Sequence, residues 1–269
     1  MHAFIERGVR ALTFFAHEAE AVRYSRSRPF FHPLVIERIQ STLQLSQPVT
    51  AALDVGCGTG QSTVALKPIA HSIVGIDISR TMLDQATSDE RVQYREASAE
   101  DIPFSSGSFD LITVSLAFHW LDRRLFLKEA NRLLRDDGWL VVYNNGFTGQ
   151  MKENPAFAEW MKAHYLQRFP TPPRDSRPLT SEEVEAHGFR FVHDERYQNE
   201  VSCTAEELAG YLTTQTNVAA AIAQGTDSVD SIFNWLVGSI RPTFVGSNGT
   251  FVFGGYIWYL QKVSNILPL

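Results

Sequence analysis

Ala51-Ala52-Leu53-Asp54-Val55-Gly56-Cys57-Gly58-Thr59-Gly60 is the stretch whose reading decides the fold. An apolar run ends in an acid and then in glycines at every second position. From Ser62 to Ile69 the apolar residues recur at helical spacing. The pattern predicts a buried strand, a tight turn and a helix start. Glycine has no Cβ, so such a turn takes dihedrals closed to other residues and lets a ligand touch the backbone. The helix start adds free N–H groups and the positive end of its dipole. Asp54, Gly56, Gly58 and Gly60 are therefore the first candidate binding residues.

The spacing separates two nucleotide readings. Dinucleotide-binding turns use G-x-G-x-x-G and hold a pyrophosphate at the helix start. Here a carboxylate stands directly before the glycines, which opposes a pyrophosphate and suits an ammonium group. No lysine follows, which excludes a Walker-type phosphate loop. Leu53–Gly60 is similar to the first motif of class I S-adenosylmethionine-dependent methyltransferases. The resemblance implies S-adenosyl-L-methionine as cofactor and S-adenosyl-L-homocysteine as product. It also implies an α/β fold: a doubly wound, Rossmann-like, seven-stranded sheet of order 3-2-1-4-5-7-6 with strand 7 antiparallel. N-terminal helices and a helical lid insertion complete the expectation. The division expected is 1–145 for the N-terminal helices and cofactor core, 146–187 for the lid, and 188–269 for the rest of the sheet with extra helices.

Composition narrows the partners. The chain has 269 residues, 44% hydrophobic and 20% charged, which suits one α/β domain with a sizeable insertion. A net charge of -6 argues against sequence-independent nucleic-acid binding. Cys57 and Cys203 are too few for a disulfide framework and point to a reducing, cytoplasmic setting. Glu6, Arg7 and Arg10 interrupt the apolar run that a signal peptide needs, and no stretch is apolar enough to span a membrane. No H-x-x-H or C-x-x-C spacing suggests a metal site. The expected partner is a small molecule, met by a monomer or homodimer.

Residues 4–23 carry apolar positions at helical spacing, from Phe4 and Ile5 to Ala19, and a second helix is expected over about 33–45. Between them, the Tyr24…Arg28-Pro29…Pro33 arrangement resembles the N-terminal segment of the trans-aconitate methyltransferase-like subgroup. There it folds over the cofactor, which makes Tyr24 and Arg28 candidate cofactor contacts. The alternative is a helix–loop–helix packed on the sheet.

Strand and helix then alternate, as a doubly wound parallel sheet requires. Strand two, Ser72–Ile78, brings Asp77 to its carboxyl end, where an acid accepts hydrogen bonds from both ribose hydroxyls. Ile78 adjoins it, and Ser79 caps a helix over 80–88. The resemblance points to Met82 as the apolar contact on the adenine face. After strand three, Val92–Glu96, the A-E-D-I-P-F run at 99–104 is similar to the family's third cofactor contact. It implies Ala99 through its backbone, and Glu100 or Asp101 as the acid that accepts the adenine amino group.

Strand four, Phe109–Ala117, runs into Phe118-His119-Trp120. Ligands lie beyond the carboxyl ends of such strands, so Ser115 is a cofactor contact and His119 and Trp120 line the substrate pocket. His119 is the candidate catalytic base, since histidine moves protons near neutral pH; shaping the pocket is its alternative. Asp110, at the opposite end, is a structural contact. The reading continues with a helix over 123–135 stopped at Gly138, and strand five at Trp139–Tyr143. A helical insertion over 147–187 follows, whose aromatics line a pocket or bury their own helices. Arg168, Arg174 and Arg177 within it either bind an acid substrate or sit at the surface. Strand six is expected over 189–201, a helical region over 204–237, an extended piece over 240–245 and a reversed final strand over 250–263.

These expectations converge on methyl transfer to a small molecule, at a carboxylate or hydroxyl oxygen. Transfer to nitrogen or carbon, a cofactor-binding protein without transfer, and a nicotinamide dehydrogenase are the alternatives.

Overall fold

The computed structural model describes residues 18–172, 177–225 and 227–263. Most of the helix expected over 4–23 lies outside them. Its end is α1, Glu18–Ser27, followed by α2, His32–Thr42, with Pro33 in its first turn, where a missing N–H costs nothing.

The sheet is built from β1 (Val49–Val55), β2 (Ala70–Asp77), β3 (Val92–Glu96), β4 (Phe109–Ser115) and β5 (Leu134–Tyr143), all parallel where they pair. Helices α3 (Gln61–Ala65), α4 (Arg80–Leu83) and α5 (Arg123–Leu133) connect them. Period-two alternation decides which side each residue faces. Leu53, Val55, Ile112 and Val114 pack with Phe126, Leu127 and Leu133 of α5. Ala52, Leu111 and Val141 pack on the other face with Val35, Ile36 and Ile39 of α2. Asp54 shares the parity of Ala52, so it faces the helix-covered side of the sheet and not the space beyond the strand tip.

The order of the remaining strands corrects the expectation. The described residues form eight strands, and Gly146–Met151, expected within a helical insertion, is β6. β8 (Gly249–Lys262) runs antiparallel to β5, β6 and β7 (Phe189–Cys203). Tyr143 pairs with Ile257 and Gly146 with Gly254, so β6 continues the line of β5 along one edge of β8 while β7 takes the other edge. Along the sheet this reads 3-2-1-4-5-8-7, with β6 as the extension of β5. Gly146 and Gly149 hid the strand: Gly149 sits at φ 76° inside a register shift, and pairing with β8 overrides the weak local propensity.

Two boundaries also differ. α5 ends at Leu133, and Gly138 lies within β5 instead of stopping the helix. A Cβ on Gly138 would come within 2.9 Å of the Arg135 carbonyl oxygen, so close backbone packing accounts for the glycine. Residues 240–245 are not extended; the helix runs on to Ile240 and a 3-10 turn spans Arg241–Thr243.

A separate helical layer completes the molecule. It comprises α6 (Phe157–Trp160), a π-helical turn over Met161–Tyr165, α7 (Leu166–Arg168), α9 (Ala205–Thr213), α10 (Thr216–Ala223) and α11 (Val229–Ile240), whereas α8 (Ser181–Glu185) sets Val184 into the sheet core with Leu133 and Phe189. Thr204 and Glu207 close a reciprocal capping box at the start of α9, worth about 1 kcal/mol. Phe157, Tyr165 and Phe169 bury against Leu212, Leu236 and Phe251 in a third core.

Candidate cofactor and acceptor cavity

A cavity of about 410 Å³ opens at the carboxyl ends of the central strands. It lies where β1 is flanked by β2 on one side and β4 on the other, the switch point at which the flanking helices diverge.

The glycine turn forms its floor. Gly56, Gly58 and Gly60 sit at φ 69°, 53° and 78°, a region that glycine enters without strain. The N–H groups of Gly56 and Cys57 both donate to the Ile76 carbonyl, at 2.8 and 2.9 Å, so the turn is tied to β2. Gly56 and Gly58 line the cavity. A Cβ on Gly56 would lie 2.5 Å from that of Ala117, and one on Gly58 would lie 3.1 Å from Met82 Cε. Gly60 plays another part. It is the residue before α3, it does not line the cavity, and any Cβ there would overlap the Tyr94 hydroxyl.

Asp54 is likewise not in the cavity, which corrects its reading as a ligand for an ammonium group. Its carboxylate is fully buried, accepting from Ser62 Oγ at 2.6 Å, Thr63 Oγ1 at 2.8 Å and Thr113 Oγ1 at 2.9 Å. Strand parity turned it toward α3, where the two hydroxyls start the helix. Burial pushes its pKa up to about 6 against the pull of those three hydroxyls, and Asp77 adds repulsion. Asp54 braces the turn from behind.

Asp77 does face the cavity. Gly58 N donates to its Oδ2 and Ser79 N to its Oδ1, each at 2.8 Å. A carboxylate offers about four acceptor positions, so acceptor capacity remains for a ligand. Burial raises its pKa, opposed by the N–H groups of Ser79, Gly58 and Ile78. Beside it, Ile78 is 43% exposed while Met82 is buried, an apolar step at the rim. Ala99 and Glu100 form the next part of the lining. Glu100 accepts from Asp122 N at 3.0 Å and from the Ser98 hydroxyl, whereas Asp101 is exposed and outside the lining.

Ser115 ends β4 at the cavity, and its buried Oγ makes no hydrogen bond within the described protein. Leu116 then takes φ 56°, unusual for a residue with a side chain, while its N–H donates to Tyr143 O at 3.0 Å. That turn redirects the chain into the short 3-10 segment Phe118–Trp120, which presents His119 and Trp120 to the cavity. Their rings lie 4.7 Å apart at 44°.

α1 crosses above. Arg28 Nη2 donates to Thr214 O at 2.9 Å, and its guanidinium lies 4.5 Å from the Tyr24 ring and 5.3 Å from that of Tyr211. Gln61 Nε2 donates to Ser25 O at 3.2 Å, tying the strap to α3 as well. Tyr24 and Arg28 line the main cavity and also a recess of about 50 Å³ that reaches Gly56, Gly58 and Ser115.

Other lining residues carried no signal in the sequence. Arg123, Arg196, Asn145, Tyr256 and Trp258 converge on the cavity from α5, β7, the end of β5 and β8. Only Asn145 was open to the rule that found Ser115, since it follows a parallel strand at its carboxyl end. Of the arginines considered, Arg177 lines the cavity, Arg168 instead pairs with Asp227 at 2.9 Å, and Arg174 lies outside the described residues. The aromatics Phe157, Trp160, Tyr165 and Phe169 bury one another and do not reach the cavity.

Residues 53–142 match the family model described as methyltransferase domain, a span that runs from the end of β1 through most of β5. Over that span the chain is similar to methyltransferase domains. Curated relatives agree over the same part. A Dictyostelium discoideum protein with a provisional methyltransferase name is 33% identical over 142 residues, 53% of each chain. An uncharacterized methyltransferase of Bacillus subtilis, YcgJ, is 30% identical over 131 residues, 46% of this chain and 50% of the relative. The chain thus spans about half the length of the curated relatives it matches. Among solved structures, one provisionally described as a type II methyltransferase of Anaeromyxobacter dehalogenans superposes with a TM-score of 0.66. It is 20% identical and covers 88% of this chain and 97% of its own, a likeness of fold. Among the described residues, no helix is long and apolar enough to cross a membrane.

Proposed function

We propose that this protein transfers a methyl group from S-adenosylmethionine to an oxygen of a small molecule. The observation that carries the reading is Asp77: a carboxylate held by backbone N–H groups, facing the cavity with acceptor capacity to spare, at the tip of β2. That donor–acceptor set fits the vicinal diol of a ribose. Ile78 and Met82 offer apolar contact to a purine, and Glu100 an acceptor for its amino group. Gly56, Gly58 and the unpartnered Ser115 Oγ leave room and a polar atom for the amino-acid part, and Arg28 faces its carboxylate from the strap.

The bound cofactor supplies an electrophilic methyl on a sulfonium, and transfer is an in-line displacement. What the chain contributes is placement and exclusion of water. The Leu116 turn sets the acceptor pocket directly beyond β4, between the floor at Ser115 and the walls at His119, Trp120, Tyr256 and Trp258. A carboxylate acceptor gives up no proton. For a hydroxyl acceptor, His119 takes the proton. Tyr24, Arg28 and the His119-Trp120 pair support the trans-aconitate methyltransferase-like subgroup. Gly146, Arg177 and Pro178 at the cavity support a covering role for residues 146–187. The acidic charge and the two cysteines support a cytoplasmic enzyme for small molecules, monomeric or homodimeric, over one for nucleic acid or membranes.

Calorimetric titration with S-adenosylmethionine and with NAD in parallel tests the reading. Saturable binding of S-adenosylmethionine alone, with S-adenosylhomocysteine formed on addition of acceptor, is the expected result. Binding of NAD alone, or cofactor binding with no product from any acceptor, contradicts it.

A further inference from the structure

The helical layer meets the main cavity at the turn between α9 and α10, through Gln215 and Thr216. The strap meets the same turn: Arg28 Nη2 donates at 2.9 Å to the carbonyl of Thr214, the residue before Gln215. Tyr211, near the end of α9, lies 5.3 Å from the Arg28 guanidinium and beside the Gln215 side chain. Arg28 and Gln215 are thus neighbours where the strap touches the helical layer, and both line the cavity. The recess that Arg28 and Tyr211 share reaches Gly56, Gly58 and Ser115 and not His119 or Trp120, so Arg28 stands over the glycine turn.

Each of the two has a donor to spare. Arg28 Nε and Gln215 Nε2 are buried and make no hydrogen bond within the described protein. Among the described residues no carboxylate pairs with Arg28; its charge meets a backbone carbonyl and the rings of Tyr24 and Tyr211. A buried N–H without an acceptor is costly, and folded proteins keep few of them. The helix does not account for Gln215 either. Helix caps are ordinarily Ser, Thr, Asp or Asn, whereas Gln215 stands at the N-cap of α10 and its side chain makes no capping bond. Guanidinium and amide N–H groups together select an acceptor, and a negative one gains most.

We propose that Gln215 is a cofactor-binding residue that, together with Arg28, holds the carboxylate of the cofactor's amino-acid tail from the side of the helical layer. This deepens the methyl-transfer reading, which sets Arg28 against that carboxylate, and rests on it. The carboxylate then joins the strap to the α9–α10 turn. Arg28 and Gln215 both lie outside residues 53–142, so the span that matches the family does not complete the cofactor site by itself.

The test compares by calorimetry three ligands that differ only in the tail: S-adenosylhomocysteine, its decarboxylated analogue and methylthioadenosine. The parent should bind S-adenosylhomocysteine about tenfold or more tighter than the decarboxylated analogue, as for gained charge-assisted hydrogen bonds. Gln215→Glu sets a like charge beside the carboxylate and should narrow that gap about tenfold or more. Gln215→Ala removes the donor without adding charge and should narrow the gap in the same direction, as should Arg28→Gln. Methylthioadenosine, which has no carboxylate, should bind the Gln215 variants as it binds the parent. A parent without the gap overturns the proposal, as do Gln215→Glu and Gln215→Ala proteins that bind methylthioadenosine and keep the gap whole. Failure of the parent to bind any of the three would instead overturn the methyl-transfer reading.

Discussion

The two ends of the cavity are built differently. The end proposed for the cofactor draws most of its lining from a short run of sequence, Gly56 to Glu100, joined by Ser115, Tyr24 and Arg28, and is fixed mainly by backbone: N–H groups hold Asp77, and glycines leave the space. The acceptor end gathers side chains from α5, the end of β5, β7 and β8, residues separated by much of the chain. Backbone construction admits few sequences, because a turn at positive φ packed against Ala117 tolerates only glycine. Side-chain construction on a common frame admits many. The difference accounts for a site whose cofactor is legible and whose acceptor is not.

The most severe break of this comparison is a methyl group at each end. Gly56→Ala combines φ 69° with a 2.5 Å overlap and should cost at least about 3 kcal/mol of stability, read by denaturant unfolding. Gly146→Ala, at the acceptor end, meets its nearest atom at 3.9 Å and should fold as the parent does. Equal losses would show that the two ends are constrained alike.

His119→Ala comes next. If His119 takes a proton from a hydroxyl acceptor, turnover should fall roughly 10²- to 10⁴-fold while S-adenosylmethionine affinity is retained. Unchanged turnover would make His119 a wall of the pocket, in line with a carboxylate acceptor.

Within the cofactor end, Asp54 and Asp77 sharpen the contrast between bracing and binding. Asp77→Ala should weaken S-adenosylmethionine binding by roughly 1.5–3 kcal/mol, as for lost charge-assisted bonds. Asp54→Ala leaves three buried hydroxyls without their acceptor and should lower stability by about 2 kcal/mol or more. Binding loss from Asp54→Ala at unchanged stability would return it to the ligand site.

A pair of opposed pH dependences sharpens the contrast further. Buried His32, whose Nδ1 lies 3.2 Å from the Tyr143 hydroxyl, has a pKa lowered to about 3 by burial. Its contribution to stability is present above its ordinary pKa near 6.5 and is lost as pH falls toward 3. Asp54, raised to about 6, contributes in the opposite sense, fully below 3.8 and lost as pH rises through 6. Melting temperatures of His32→Asn should therefore fall less steeply than the parent's between pH 6.5 and 4. Those of Asp54→Asn should lose less than the parent's between pH 4 and 6. Parallel curves for parent and variants would contradict both assignments.

The same contrast explains what the sequence disclosed. The alternation of apolar runs and helices, the glycine spacing and Asp77 at a strand end are local patterns, and the sheet, the turn and the cofactor end follow from them. Asp54 was misread because the acid–glycine motif says nothing about parity: the strand turned that side chain beneath α3. Gly60 was misread because spacing does not separate a glycine that admits a ligand from one that admits Tyr94. β6 was missed because its partner, Phe251–Gly254, lies far along the chain and supplies the pairing that Gly146 and Gly149 weaken locally. Arg123 and Arg196 were missed for the same reason: nothing within a helix or an outer strand marks a residue that meets its neighbours only after the sheet has formed.

The central claim is that Asp77 and the glycine turn hold a nucleoside with its amino-acid tail toward Ser115. A crystal structure with S-adenosylhomocysteine measures it directly. The account predicts both ribose hydroxyls hydrogen-bonded to the two oxygens of Asp77, with the sulfur facing the Ser115–His119 segment. A ligand whose ribose lies away from Asp77, or a turn occupied by a pyrophosphate, would contradict it.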